Sequence, residues 1–130
     1  MRTHFYVWIL LGILTALPAA AQENAWQGAA NGPRLRAQFV DKARNLEHRL
    51  AVVEVDAEGV LLADPTDSQY KMRDQGHIQF RLDQGPYILP LGNRIAFEGL
   101  TPGKHNIEVM LADNSYRPMG PKVELEITVP

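Results

Sequence analysis

Leu100-Thr101-Pro102-Gly103-Lys104-His105-Asn106-Ile107-Glu108-Val109-Met110-Leu111 is the stretch on which the reading of this chain turns. Pro102-Gly103 makes a tight turn, because proline presets φ near about −65° and glycine adopts backbone conformations closed to other residues. Beyond the turn, His105, Ile107, Val109 and Leu111 share one phase, and Asn106, Glu108 and Met110 share the other. Successive side chains of a strand point to opposite faces, so the period of two predicts a strand with one apolar face. The chain ends on the same pattern, with Val123, Leu125, Ile127 and Val129 alternating against Glu124, Glu126 and Thr128. These two segments are expected to pair, and the remainder of the chain to pack on them.

Working outward, Leu35, Ala37 and Phe39 alternate with Arg34, Arg36 and Gln38, and residues 50–55 form a β-branched run. Residues 60–63 make a short strand before the Asp64-Pro65 turn. Ile78, Phe80 and Leu82 then alternate with His77, Gln79, Arg81 and Asp83. Residues 87–91 suit an edge strand, since Pro90 has no N–H for a central ladder. Ile95 and Phe97 lead back into the opening stretch. Residues 41–45 read as a polar turn; Asp41-Lys42-Ala43-Arg44 could instead begin a short helix, but no apolar helical period supports it. About seven short strands with turn signals between them predict an all-β protein, an immunoglobulin-like or fibronectin-like β-sandwich over residues 34–130, with a small barrel as the alternative. Residues 22–33, rich in Ala, Gly, Asn and Gln, read as a flexible lead-in; Trp26 within it is either a loose aromatic or a plug over the core.

The first 21 residues read differently. Arg2 and His4 precede 13 apolar residues from Phe5 to Leu17, then Pro18 and Ala19-Ala20-Ala21. A basic start, a short apolar run and an Ala-x-Ala site are the marks of a signal peptide cut after Ala21. The run is shorter than the ~20 residues that cross a bilayer as a helix. The expected location is therefore periplasmic or secreted, with no membrane attachment after cleavage. The chain has no cysteine, which closes disulfides, zinc–thiolate sites and a lipidated cysteine anchor. Thirteen Lys and Arg against 15 Asp and Glu give −2, and loss of Arg2 with the leader makes it −3. The signs are interspersed, so there is no basic stripe for nucleic acid.

Three groups of residues could carry chemistry. His105 follows Pro102-Gly103 where sandwiches of this type often place a tyrosine whose hydroxyl bonds backbone just upstream. It is expected to be a structural corner imidazole, with a metal or acid–base role as the sharper alternative. His77, Gln79, Arg81 and Asp83 are expected to form a solvated strand face. His77 and Asp83 lie about 20 Å apart along a strand, too far to share an ion. Met72, Met110 and Met119 with a histidine would suit copper(I), but Met110 is out of phase with His105. Ser68 and Ser115 lack a nucleophile-elbow setting, so no catalytic residue and no enzyme activity are expected.

Gly76-His77-x-x-x-x-Leu82-Asp83, Gly99-Leu100-x-Pro102-Gly103-x-His105 and Val109-x-Leu111-x-Asp113, closing in Val129-Pro130, together resemble a family. It is a group of small exported bacterial Ig-like domains of unknown function, patterned Gly-His-x-His-x-x-x-Asp, Leu-x-Pro-Gly-x-His and Asp-His-x-Pro. The resemblance spans roughly residues 46–130 and implies an exported Ig-like sandwich without an assigned activity. Its repeated histidines raise a metal hypothesis, but Gln79 and Tyr116 stand where the family has its other imidazoles. The expectation is a non-enzymatic binding or interaction module without a cofactor, touching a protein or small ligand outside the cytoplasm through His77, Tyr87, Tyr116 and Arg117. The alternative is a periplasmic copper or zinc protein using His77, His105 and Asp113.

Overall fold

Strand hydrogen bonding follows the alternation read above. The computed structural model describes residues 22–67, 74–90 and 92–130. The signal-peptide reading of residues 1–21, and the readings of Ser68 and Met72, fall outside these. Among the described residues eight strands run in chain order: β1 (Gln27–Gly28), β2 (Arg34–Val40), β3 (Ala51–Glu58), β4 (Leu61–Leu62), β5 (Gln75–Leu82), β6 (Arg94–Phe97), β7 (Gly103–Asp113) and β8 (Pro118–Val129). They form two four-stranded sheets, ordered β1-β2-β3-β6 and β4-β5-β7-β8. All pairings are antiparallel except β4 with β5.

Period two decides what lies between the sheets. Leu35, Ala37, Val53, Val55 and Phe97 come from the first sheet; Ile78, Phe80, Ile107, Val109, Leu111, Val123, Leu125 and Ile127 come from the second. Each fully buried aliphatic or aromatic side chain of this kind contributes about 1.5–3 kcal/mol. Phe80 and Phe97 meet edge-on across the core, ring centres 6.5 Å apart. The outer face of the first sheet is a solvated ladder of ion pairs, Arg34–Glu58 at 3.5 Å, Arg36–Asp56 at 2.7 Å and Arg94–Glu54. Exposed pairs of this sort add little stability. Trp26 lies against the Arg34 and Arg36 guanidinium groups at 5.1 and 4.7 Å, on that outer face rather than over the core.

Several expectations need correction. Strands β7 and β8 are not short, at 11 and 12 residues. Residues 41–45, read as a turn, overlap a five-residue helix, α1 (Lys42–Leu46), of which Asp41 is the N-cap. It is one turn long, too short to display an apolar period, and Asn45 Nδ2 ties it to Val40 O at 2.8 Å. Residues 87–90 make a single bridge, Phe80 to Ile88, instead of a strand. Residues 22–33, expected as a flexible lead-in, contribute β1 and are held at two further points: Asn24 N–H donates to Ala37 O at 2.7 Å, and Gln22 Oε1 accepts from Glu124 N–H at 2.9 Å.

Candidate functional site

The strand that departs most from its sequence reading is β5. Its polar face was expected to be solvated, yet His77 and Gln79 are 5% and 4% exposed. The reason is tertiary. Residues 61–66 fold back beside β5, and the hairpin turn of residues 113–117 leans on it, so Tyr116 meets the His77 ring edge-on at 5.1 Å. On the core side of β5, Gly76 leaves room for Met119: a Cβ there would lie 2.6 Å from Met119 Sδ and 2.9 Å from Ala112 O.

Burial leaves His77 with one partner. Gln79 Nε2 lies 3.0 Å from His77 Nε2, and an amide NH2 can only donate. His77 Nε2 is then the acceptor and Nδ1 carries the proton. That Nδ1–H is buried and has no hydrogen-bond partner. Loss of solvation pushes the ring below its ordinary 6.5, against the opposing pull of the Asp113 and Asp64 carboxylates. The imidazole is neutral at physiological pH.

Beside His77 a cleft of about 380 Å3 opens along the edge of β5, walled by Leu62, Asp64, Leu89 and Pro90, with His77 and Ile78 on its floor. Its size falls in the lower part of the ~300–1,000 Å3 range of small-ligand sites. Exposed apolar side chains gather along this edge: Leu62 is 43% exposed, Ile88 41% and Leu89 39%. The backbone edge matters as much. Ala63 N–H donates to Gly76 O at 2.9 Å, while Phe80 and Ile88 exchange both bonds at 2.9 and 2.7 Å. Ile78 has the same phase as Gly76 and Phe80, so its N–H and C=O point to this edge. No described residue bonds them. Among the described residues the lining holds one charged group, the Asp64 carboxylate, whose Oδ1 accepts from Thr66 N–H at 2.8 Å and Thr66 Oγ1 at 2.6 Å.

The four residues expected to share a contact surface are only partly gathered. His77 and Tyr116 touch, and Arg117 follows Tyr116 in the same turn. Tyr87 lies elsewhere. Its hydroxyl donates to Glu108 Oε1 at 2.6 Å, and the Arg81 guanidinium stacks on its ring at 4.9 Å. Glu108 pairs with Arg81 and His77 with Ala112, so the two sites are four residues apart on β7, about 13 Å. Glu108, 5% exposed, also accepts from Arg81 at 2.7 Å and faces Lys122 at 3.4 Å. Burial pushes its carboxyl up, but these partners outweigh that and hold it below 4.5.

His105 occupies a different environment. Gly103, at φ 115°, turns the chain in a conformation that favours glycine, after Pro102. The His105 ring then lies with Nε2 2.7 Å from Thr101 O and Nδ1 2.5 Å from Asp83 Oδ2. Both partners are acceptors, so both ring nitrogens must donate, which requires the imidazolium. The Asp83 bond, followed by the Thr101 carbonyl, holds His105 above its ordinary 6.5. Burial pushes Asp83 up, but its bonds from His105 and Asn106 N–H prevail and keep it below 3.8.

The register keeps the two histidines apart. His77 pairs with Ala112 on the outer face, whereas His105 is in phase with Ile107 on the core face. Seven residues of β7, about 23 Å, separate their levels. Asp113 Oδ1 already accepts from Ser115 N–H at 2.8 Å and Arg117 N–H at 3.0 Å. His77, His105 and Asp113 therefore do not converge, and no cluster of three metal-ligating side chains occurs among the described residues. Sequence reasoning missed Leu62, Asp64, Leu89 and Pro90. The adjacent apolar pairs Leu61-Leu62 and Ile88-Leu89 were a usable signal, because in a period-two chain one member of each pair must face away from the core. Compared with known proteins, the chain matches no family model, no curated protein and no solved structure.

Proposed function

We propose that this protein is an exported, non-enzymatic binding module of Ig-like topology whose contact surface is the cleft beside β5. The observation that carries the reading is the coincidence of three features at one edge: an apolar cleft of about 380 Å3, a rim of exposed Leu62 and Leu89, and the N–H and C=O of Ile78, which no described residue bonds. Exposed apolar side chains grouped around a cavity mark contact surfaces, unlike apolar residues scattered singly. The neighbour order β2-β3-β6 opposite β5-β7-β8 supports the Ig-like assignment, since it parallels the A-B-E and C-F-G strands of such domains. His105, at the start of β7, then takes the place of the corner tyrosine. Export rests on the basic start, apolar run and Ala19-Ala20-Ala21.

Titration with small aliphatic amides and aromatic fragments, followed by amide NMR, tests the surface. Perturbations centred on Leu62, His77, Ile78 and Leu89, and abolished by Leu89→Arg, are expected. Binding that clusters at Tyr87 and Glu108 instead, or is unaffected by Leu89→Arg, would overturn the assignment. Intact mass of the protein from its native compartment should begin at Gln22; a retained leader would remove the export part of the reading.

A further inference from the structure

We propose, building on the β5-edge reading, that the cleft receives the amino-terminal residue of a partner polypeptide, with an aliphatic side chain. Three observations narrow the occupant. The first is the hydrogen-bonding edge. Ile78 presents one N–H and one C=O, enough for a single residue of an extended chain. On either side the same line is filled, by Ala63 on Gly76 and by Ile88 on Phe80. These positions are four residues apart on β5, about 13 Å, so a long strand cannot run through and a chain end can.

The second is charge. Among the described residues Asp64 is the only charged side chain lining the cleft; Thr66 occupies its Oδ1, and no described residue bonds its Oδ2. No described lysine or arginine lines the cleft. Asp64 would repel a carboxylate terminus, whereas an α-ammonium group would find a charge-assisted partner in it. The third is shape. Leu62, Leu89 and Pro90 form an apolar wall suited to a branched aliphatic side chain. The ammonium group donating to Asp64 and to Ile78 O, the first residue's carbonyl accepting from Ile78 N–H, and its side chain against Leu89 make one consistent placement.

The probe is the tripeptide leucyl-alanyl-alanine, as the free amine and with its amine acetylated, titrated into the isotope-labelled protein and followed by amide NMR and calorimetry. The free peptide should shift the Ile78 and Leu89 amides and bind roughly tenfold more tightly than the acetylated one, the scale of one charge-assisted bond. Asp64→Asn should erase most of that difference. Because that substitution can loosen the turn held by Thr66, the acetylation contrast on the unaltered protein is the deciding measurement. Equal binding of the two peptides at the cleft would overturn the terminus assignment while leaving the β5 edge as a contact surface. Absence of cleft shifts with both peptides, where small aliphatic amides do shift them, would overturn it too. Absence with all probes would overturn both readings.

Discussion

His105 offers its two ring nitrogens to two acceptors, Thr101 O and Asp83 Oδ2, whereas His77 receives one hydrogen bond from Gln79 and keeps a second N–H without a partner. Both rings are more than nine-tenths buried and both belong to the same sheet. Burial alone disfavours the imidazolium in each case. At the corner, a carboxylate and a carbonyl overcome that penalty; beside the cleft, Asp113 and Asp64 are too loosely placed to do so. One histidine is thereby committed to holding a turn, and the other sits neutral beside a surface that is open to contact. Solvent access does not distinguish a structural histidine from a candidate functional one here; the inventory of its partners does.

The sharpest way to break this comparison is to truncate each ring. His105→Ala removes two hydrogen bonds, leaves Asp83 facing the core edge and opens a small cavity. A loss of about 1–3 kcal/mol in urea unfolding is expected. His105→Tyr should retain more stability than His105→Ala, because a hydroxyl can still donate to Thr101 O, though it cannot serve Asp83 as well. His77→Ala should cost less, about 1–2 kcal/mol, since only the Gln79 bond and the packing are lost and a stranded N–H is removed with them. The ring is buried, so an effect near zero at His77 would contradict the structure, and an effect larger than at His105 would contradict the partner inventory.

The pH dependence should run in opposite directions. His105 has a raised folded pKa, so its contribution to stability is present below its ordinary 6.5 and is lost as pH rises through the folded value. His77 has a lowered folded pKa, so its contribution is present above 6.5 and is lost as pH falls from there through the folded value. Titration of the imidazole resonances by NMR should place His105 above 6.5 and His77 below it. His105→Ala should therefore make the remaining protein relatively less stable on acidification, and His77→Ala relatively more stable. Matching shifts of both rings in one direction would mean that the Asp83 contact or the covering of His77 is wrongly placed.

The smallest effect is expected at Tyr116→Ala, about 0.5 kcal/mol, as befits a side chain 50% exposed. Its use is diagnostic. Tyr116 packs its ring against His77, so its removal should admit water and move the His77 pKa back towards 6.5 while leaving His105 unchanged. Movement at both histidines would signal a general loosening of the sheet instead.

Much of this was legible in the chain. Ile107, Val109 and Leu111, with Val123, Leu125 and Ile127, announced the β7–β8 hairpin, because an amphipathic strand writes its pairing face directly into a period of two. Pro102-Gly103 placed the corner and His105 followed in phase with the core. The short α1 helix was not legible, because one turn bears no measurable period. The flanks of β5 were misread for a related reason. Alternation reports which side chains share a face; it does not report what lies over that face.

The sequence by itself determined the two-sheet, all-β character of the protein, the placement of its core residues and the turn before His105, since each depends on contacts near in the chain or on strand periodicity. Only the tertiary structure decided that His77 is buried and neutral, that Tyr87 belongs with Glu108 instead of with Tyr116, and that His77 and His105 cannot meet. Those outcomes depend on register between strands and on chain segments folding back across the outer face of β5. Side chains far apart in sequence set them, and no local pattern encodes which segment covers which strand.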